Sequence, residues 1–254
     1  MRIMTYNILE GAVDRIDKVV AVINKAHPDV LIVNEANDFD ANDYAVLHHF
    51  ADLVKLPYYY FEKNGDEWIY PVVIFSKYPF IEVEALKPVT RGIICATLRY
   101  HNQPITIVGL HLSPFSESER LNEAALLLST ILRVPRLVVM GDFNSLSPKD
   151  VFTDEQLKTL PESYRNKFAQ HGVTQYDVYE FFAKSGLIDV ALQFNDLTNT
   201  IPTLVGETAH PPTRLDRALV SSILAPVVTH YEVIKNSATN KASDHYPVVI
   251  DINV

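Results

Sequence analysis

Leu137-Val138-Val139-Met140-Gly141-Asp142-Phe143-Asn144 is an apolar run that stops at a glycine and then presents a carboxylate and an amide. Four apolar residues bounded by turn-forming types predict a buried strand rather than a helix. Residues i and i+2 of an extended chain share a face, so Asp142 and Asn144 point the same way. An Asp can orient or deprotonate a water, and an Asn can steer that water or a phosphoryl oxygen without adding charge. Taken alone, Gly141-Asp142-Phe143-Asn144 reads equally well as a plain turn. The other strand ends decide between the two readings.

Working outward, the same arrangement recurs. The alternating stretch Arg2 to Ile8 reads as a strand ending at Asn7. Asp14 reads as an N-cap for a helix whose apolar positions are Ile16, Val19, Val20 and Ile23, stopped by His27-Pro28-Asp29. Val30 to Val33 is a second buried strand, with Asn34 and Glu35 at its end. A weaker helix, 42–55, ends at Pro57. Tyr58 to Phe61 and Trp68 to Phe75 read as strands around the turn Asn64-Gly65, and 81–86, 93–100 and 105–112 as further strands, the last ending at His111. Ser116 to Glu119 is a capping box that starts a helix, with Leu121, Ala124, Ala125, Leu128, Ile131 and Leu132 expected on its buried face.

Beyond the Asp142 strand, Ser147-Pro148 reads as the cap of a short helix, and 150–172 as an irregular polar segment. Its Lys158, Arg165 and Lys167 suggest a substrate-contacting loop. A helix from Thr174 and Asp177 closes at Gly186. Strands follow at 215–220, 227–234 and 246–252. Strand–helix alternation early and strand dominance late predict an α/β sandwich with mixed sheets. No repeat or linker interrupts the chain, and 1–254 is expected to be a single domain.

Composition bounds the function. The chain has 254 residues, 48% hydrophobic and 21% charged, which suits a globular protein able to bury a core without disulfides. The single cysteine, Cys95, excludes an internal disulfide framework and any multi-cysteine zinc site, and its apolar surroundings predict an inert buried thiol. No stretch approaches the length of a membrane span, so no stable membrane insertion is expected. No signal-peptide run precedes Arg2-Ile3-Met4, and a cytoplasmic protein is expected if this is the whole chain. A net charge of −9 argues against a broad basic surface for long nucleic acid, and leaves room for a local basic patch or a bound metal ion.

Polar residues therefore stand at six strand ends: Asn7, Glu35, His111, Asp142 with Asn144, Asp216, and Asp244 with His245. Capping explains one such place more readily than six. The set suits metal-assisted attack of water on phosphorus, because carboxylate and amide oxygens favour Mg²⁺ or Mn²⁺. Glu35, helped by Asn7, would hold the metal, Asp142 the water, and His245 as imidazolium a phosphoryl oxygen, with Asp216 as its carboxylate partner.

These residues resemble the endonuclease/exonuclease/phosphatase superfamily, which includes deoxyribonuclease I, apurinic/apyrimidinic endonucleases, inositol polyphosphate phosphatases and sphingomyelinases. Thr5-Tyr6-Asn7, Asn34-Glu35, His111-Leu112, Gly141-Asp142-Phe143-Asn144, Arg214-Leu215-Asp216 and Ser243-Asp244-His245-Tyr246-Pro247-Val248 follow the family's motif order over nearly the whole chain. The resemblance implies a deoxyribonuclease I-like four-layer α/β sandwich, two mixed β-sheets face to face with helices outside. It also implies Asp142, Asn144, His245, Asp216 and His111 as catalytic residues, and Glu35, Asn7 and Asp244 at the metal.

Four positions depart from the pattern or stay open. Asn34 stands where the family usually has Gln. Arg217 stands where an aromatic residue is frequent, either solvated or reaching substrate. His111 lacks an evident acidic partner, with Glu62 and Glu67 as candidates, and reads as either a phosphate contact or a structural histidine. Arg91, before a strand, either holds a phosphate or is solvated. His27, His48, His49, His101, His171, His210 and His230 read as surface or turn histidines.

The expected activity is divalent-metal-dependent hydrolysis of a phosphoester, a phosphodiester first, with a nuclease as one form of it. The alternatives are a phosphatase or phospholipase acting on inositol phosphate or sphingomyelin-like substrates, and a non-catalytic binding module on the same scaffold. Nucleic acid is one option as partner, and no protein partner is inferable.

Overall fold

The computed structural model describes residues 1–63, 70–150, 152–206 and 210–253. The expected turn at Asn64-Gly65, the strand start at Trp68, and Glu67 lie outside the described residues. From the amino terminus, β1 (Arg2–Asn7), α1 (Ile16–Ala26) and β2 (Val30–Asn34) form a strand–helix–strand unit with the two strands parallel. Then come α2 (Ala41–Val54) and the antiparallel pair β3 (Tyr58–Glu62) and β4 (Val72–Ser76). β5 (Phe80–Ala85), β6 (Gly92–Tyr100) and β7 (Gln103–His111) run antiparallel, and α3 (Glu117–Ile131) crosses over to β8 (Leu137–Asp142), parallel to β7.

The next stretch holds α4 (Asp154–Thr159), α5 (Glu162–Phe168), the two-residue strands β9 (Ala169–Gln170) and β10 (Val173–Thr174), α6 (Asp177–Lys184), β11 (Ile188–Asp189) and α7 (Val190–Gln193). The chain closes with β12 (Asp216–Val220), β13 (Val228–Val233) and β14 (Val248–Ile252).

Two mixed six-stranded sheets result, ordered β13-β14-β1-β2-β4-β3 and β11-β12-β8-β7-β6-β5. Alternation along each strand assigns its two faces. Ile3, Val30, Ile32, Val72 and Ile74 of the first sheet pack against Ile94, Ile107, Val138, Met140 and Ala218 of the second in one core. The opposite faces bury Met4, Leu31, Val33 and Phe75 under α1 and α2, and Cys95, Val108, Leu110 and Val139 under α3 and α6. The expected four-layer sandwich is the fold. Cys95 is buried, and burial pushes its thiol up to about 12. No helix among the described residues is long and apolar enough to cross a membrane.

The same alternation places the candidate site. Continuing the inner-face positions to the strand ends gives Asn7, Asn34, His111, Asp142 and Asp216. Register brings them side by side: Asn7 opposite Asn34, and both His111 and Asp216 opposite Asp142. One end of the inter-sheet layer is thus polar where the rest is aliphatic. The two sheets are tied there by Asn34 Nδ2, which donates to Leu110 O at 2.8 Å. Within the second sheet Gly141 lets the end of β8 lie close to β7: its φ is +148°, and a Cβ would stand 1.9 Å from Leu110 O.

Four local expectations are corrected. Ser147-Pro148 starts a turn, not a helix, with Ser147 Oγ accepting from Lys149 N. The 150–172 segment is largely ordered into α4, α5 and the start of the β9–β10 hairpin, because Leu157, Leu160 and Phe168 bury against Leu146, Ile201 and Leu215. The buried face of α3 is Glu117, Arg120, Glu123, Ala124, Leu127 and Ile131, while Leu132 is exposed. Its polar members are buried because they bond to surrounding loops. Asp14 does not cap α1, whose N-cap is Arg15.

Candidate active site

The polar strand ends open into a cleft of about 660 Å³ whose lining includes Glu35, Arg91, Asp142, Asn144, Lys167, Asp244 and His245. The more apolar part of its wall is formed by Leu9, Phe115, Tyr164, Ile201, Pro202, Val205, His210 and Leu215. His210 is therefore not a mere surface histidine, and it packs edge-on to Tyr164 and Phe168.

Asp142 sits at the centre and is 2% exposed. Its Oδ1 accepts from Asn144 N at 2.8 Å, and its Oδ2 accepts from Asn7 Nδ2 at 3.4 Å and lies 3.3 Å from His111 Nε2. Burial alone would raise the carboxyl. The His111 contact, His245 and Lys167 outweigh burial and hold it well below the usual carboxylate range. Asn144 adopts a left-handed backbone, φ +50°, which aims its N–H back at Asp142. Its Nδ2 donates to Leu112 O at 2.9 Å.

His245 Nδ1 lies 2.7 Å from Asp216 Oδ2, and its Nε2 points towards Asp142 Oδ2 at 4.0 Å. Burial pulls its pKa down, but Asp216 first, then Asp244 and Asp142, raise it to about 10. Burial raises the Asp216 carboxyl while the adjacent His245 opposes that, and Asp216 in turn favours the charged imidazole. Thr200 supports it from behind: its Oγ1 accepts from Asp216 N, and its carbonyl accepts from Tyr246 N. Ser243 Oγ donates to Asn7 O at 2.7 Å and so fastens the His245 loop to the end of β1.

Beside Asn7, Glu35 adopts φ +62° and accepts from Asn7 Nδ2 at 3.1 Å and Glu10 N at 3.1 Å. Asn7 thereby bridges the carboxylates of Glu35 and Asp142. Arg91 lies 3.3 Å from Glu35 Oε1, stacks on Tyr70, and contacts the His111 ring. His111 is fully buried. Burial and then the Arg91 guanidinium lower its pKa to about 3, so it is neutral. Among the described residues an arginine, not a second acid, is thus its neighbour beside Asp142; Glu62 is engaged by Lys87 at 2.7 Å.

The donor set fits a hard cation. Glu35 and Asp244 both line the cleft, and among the described residues no group of three or more His, Cys, Asp or Glu encloses a metal. A site of one or two carboxylates suits Mg²⁺ or Mn²⁺, which keep several waters and take further ligands from substrate phosphate.

Arg217 departs from both sequence readings. It neighbours Asp216 on β12 and therefore faces the outer layer. There it is 1% exposed, donates to Asp150 Oδ2 at 2.7 Å and Ser145 O at 3.1 Å, and sits over Tyr179. Arg214 joins the network through Asp150 and Asp189, each at 2.8 Å. Arg217 is neither solvated nor in the cleft. Replacing it with Met is expected to lower stability by about 2 kcal/mol, because it leaves Ser145 O and one Asp150 oxygen short of donors. Urea midpoint and activity per folded molecule check this: a large activity loss with unchanged stability would return Arg217 to substrate binding.

Sequence reading missed the struts that hold the cleft loops. Arg120 donates to Glu117 Oε2 and Ser113 O and contacts Lys167 O. Glu123 accepts from Thr90 N and Ser113 N, and Glu117 accepts from Val178 N. The spacing of Glu117, Arg120 and Glu123, three residues apart on one helical face, was the available signal. Of the three cations expected to reach substrate from 150–172, Lys167 lines the cleft, whereas Lys158 is exposed and paired with Glu155.

The profile of the Endonuclease/Exonuclease/phosphatase family matches residues 4–245. Comparison with curated protein sequences returns no match. Among solved structures, a 3′ phosphatase, NExo, from Neisseria bound to a product DNA hairpin is 19% identical with a TM-score of 0.73, covering 100% of both chains. An AP endonuclease from Archaeoglobus fulgidus is 20% identical with a TM-score of 0.71, again over 100% of both chains. A humanized D. rerio TDP2 is 18% identical with a TM-score of 0.67, covering 100% of this chain and 99% of that one. With the profile spanning nearly the whole sequence and the fold shared along its full length, the chain belongs to the Endonuclease/Exonuclease/phosphatase family.

Proposed function

We propose that this protein is a Mg²⁺- or Mn²⁺-dependent phosphoester hydrolase that acts first on phosphodiesters. The observation that carries the reading is the convergence on one cleft of a buried ionised Asp142, an imidazolium His245 and the carboxylate Glu35. In this reading Asp142 orients and deprotonates the attacking water, while Asn144 and Asn7 hold the carboxylate in place. His245 donates from Nε2 to a non-bridging phosphoryl oxygen, and Asp216 keeps that ring charged and oriented. Arg91 supplies a second cationic donor on the Glu35 side, and His111, neutral and buried, positions Asp142 rather than touching phosphate. Glu35, with Asp244 near it, would hold a divalent ion, whose chemistry there would be neutralisation of charge on the phosphoryl group.

The apolar wall of the cleft favours a substrate with a ring or other apolar group next to its phosphate, and the net charge of −9 favours a short one. A DNA 3′ end or an abasic site is the natural starting point, since the similar structures are named for those substrates. The test is hydrolysis of an aryl phosphodiester, an aryl phosphomonoester and short oligonucleotides bearing a 3′ phosphate or an abasic site. Each is assayed with Mg²⁺, Mn²⁺ or chelator. Metal-dependent cleavage that chelator abolishes is expected. Equal rates with and without metal, or no cleavage of any of them, would overturn the proposal.

A further inference from the structure

Lys167 is placed unlike any other cation of the cleft. It comes from α5, remote in sequence from the strand ends, and its Nζ bonds to Asn144 Oδ1. Its backbone is gripped independently: Lys167 O accepts from the buried Arg120, and the adjacent Phe168 is 1% exposed in its own apolar cluster. The ammonium is therefore delivered by a braced segment rather than by a free loop. With Nδ2 of Asn144 donating to Leu112 O, both ends of that amide are held. Only one orientation of Asn144 then satisfies its neighbours, and the second Nδ2 proton is left to the cleft.

We propose that Lys167 is a positioning residue of the hydrolytic site: through Asn144 it locks the amide that steers the attacking water, and it holds a positive charge beside Asp142. The inference rests on the phosphoester-hydrolase reading above and assigns Lys167 a part in it that neither charge nor motif position on the sequence supplied. After the His111 contact, His245 and then Lys167 help to hold the Asp142 carboxyl below the usual range.

The charged groups that bear on the ammonium are Asp142 of β8, Arg120 of α3, Arg91 ahead of β6, and Glu35 after β2. Burial pulls the ammonium down, Asp142 opposes that, Arg120 and Arg91 add to it, Glu35 opposes it, and the result is about 8. Because its charged form is the one that acts, its contribution is present below about 8 and fades above.

The experiment compares wild type, Lys167→Met and Lys167→Arg, each saturated with Mg²⁺, on the best substrate from the assay above between pH 6 and 9.5. Wild type is expected to lose kcat above pH 8. Lys167→Met should lose roughly 10- to 100-fold in kcat at pH 7 with KM little changed, as for a small misplacement of a reacting group. Lys167→Arg should recover part of that loss and stay flat through pH 9, because guanidinium does not titrate there. A Met variant equal to wild type, or one alkaline fall shared by all three, would overturn the proposal.

A readout independent of turnover separates this proposal from the functional one. In protein labelled at lysine Cε, the resonance missing from the Lys167→Arg spectrum should titrate near pH 8 in wild type and lower in Asp142→Asn. An ordinary lysine midpoint of about 10.4 in both would overturn it. If no phosphoester is turned over, the functional reading fails alone and this titration decides the place of Lys167.

Discussion

Asp142→Asn is expected to lower kcat by about 10³-fold while leaving the fold and the metal affinity intact. The carboxylate is the one group in the cleft that combines low proton affinity with reach to a water, and an amide of the same shape cannot take up a proton. Its hydrogen bonds are largely kept: an Asn oxygen in the Oδ1 position still accepts from Asn144 N. The amide nitrogen would face two groups at the former Oδ2 position, Asn7 Nδ2 at 3.4 Å and His111 Nε2 at 3.3 Å. Metal binding should persist because Glu35 touches Asp142 only through intervening side chains, Asn7 on one path and Arg91 with His111 on the other. Rate measurements alongside calorimetric titration with Mn²⁺ check the pair of expectations. A variant within tenfold of wild type would remove Asp142 from its role, and lost metal binding would make it a ligand instead of a base.

His245→Ala should cost about 10²- to 10³-fold in kcat, the typical loss on removing a charged donor from a transition state. It should also destabilise the protein by about 3 kcal/mol, since Asp216, 1% exposed, loses its ion-pair partner. The pH dependence distinguishes this from a cavity effect. The folded pKa of His245 is raised to about 10 from an ordinary 6.5. A raised basic group stabilises fully below its unfolded pKa, and that contribution disappears as pH rises through the folded value. The gap in urea midpoint between wild type and variant is therefore expected to be widest near pH 6 and to close towards pH 10. A gap constant across that range would mean that packing, not charge, accounts for it.

Much of the site was legible because strands carry information at period two. An apolar run bounded by a polar residue predicts both a buried strand and a group at its rim: Asn7, Glu35, His111 and Asp142 stand at the ends of such runs, and Asp216 and His245 at the starts of theirs. Arg217 was misplaced by the same logic left incomplete. Its alternation with Asp216 turns it away from the cleft, but solvation was assumed for that side, and α6 and the Asp150 turn cover it. The face of α3 was misread because burial was assigned to apolar residues alone, whereas Glu117, Arg120 and Glu123 are buried by bonding loop backbone.

By itself the sequence determined the class of fold, the strand ends at which chemistry gathers and the residue types that do it, because these follow from local periodicity and short motifs. Only the tertiary structure decided that Lys167 meets Asn144, that Arg91 is the neighbour of His111 and that Phe115, Tyr164 and His210 wall the cleft. Those contacts join segments far apart in sequence, and which segments meet is set by the registry and stacking of two sheets, a property of the whole chain that no local pattern encodes.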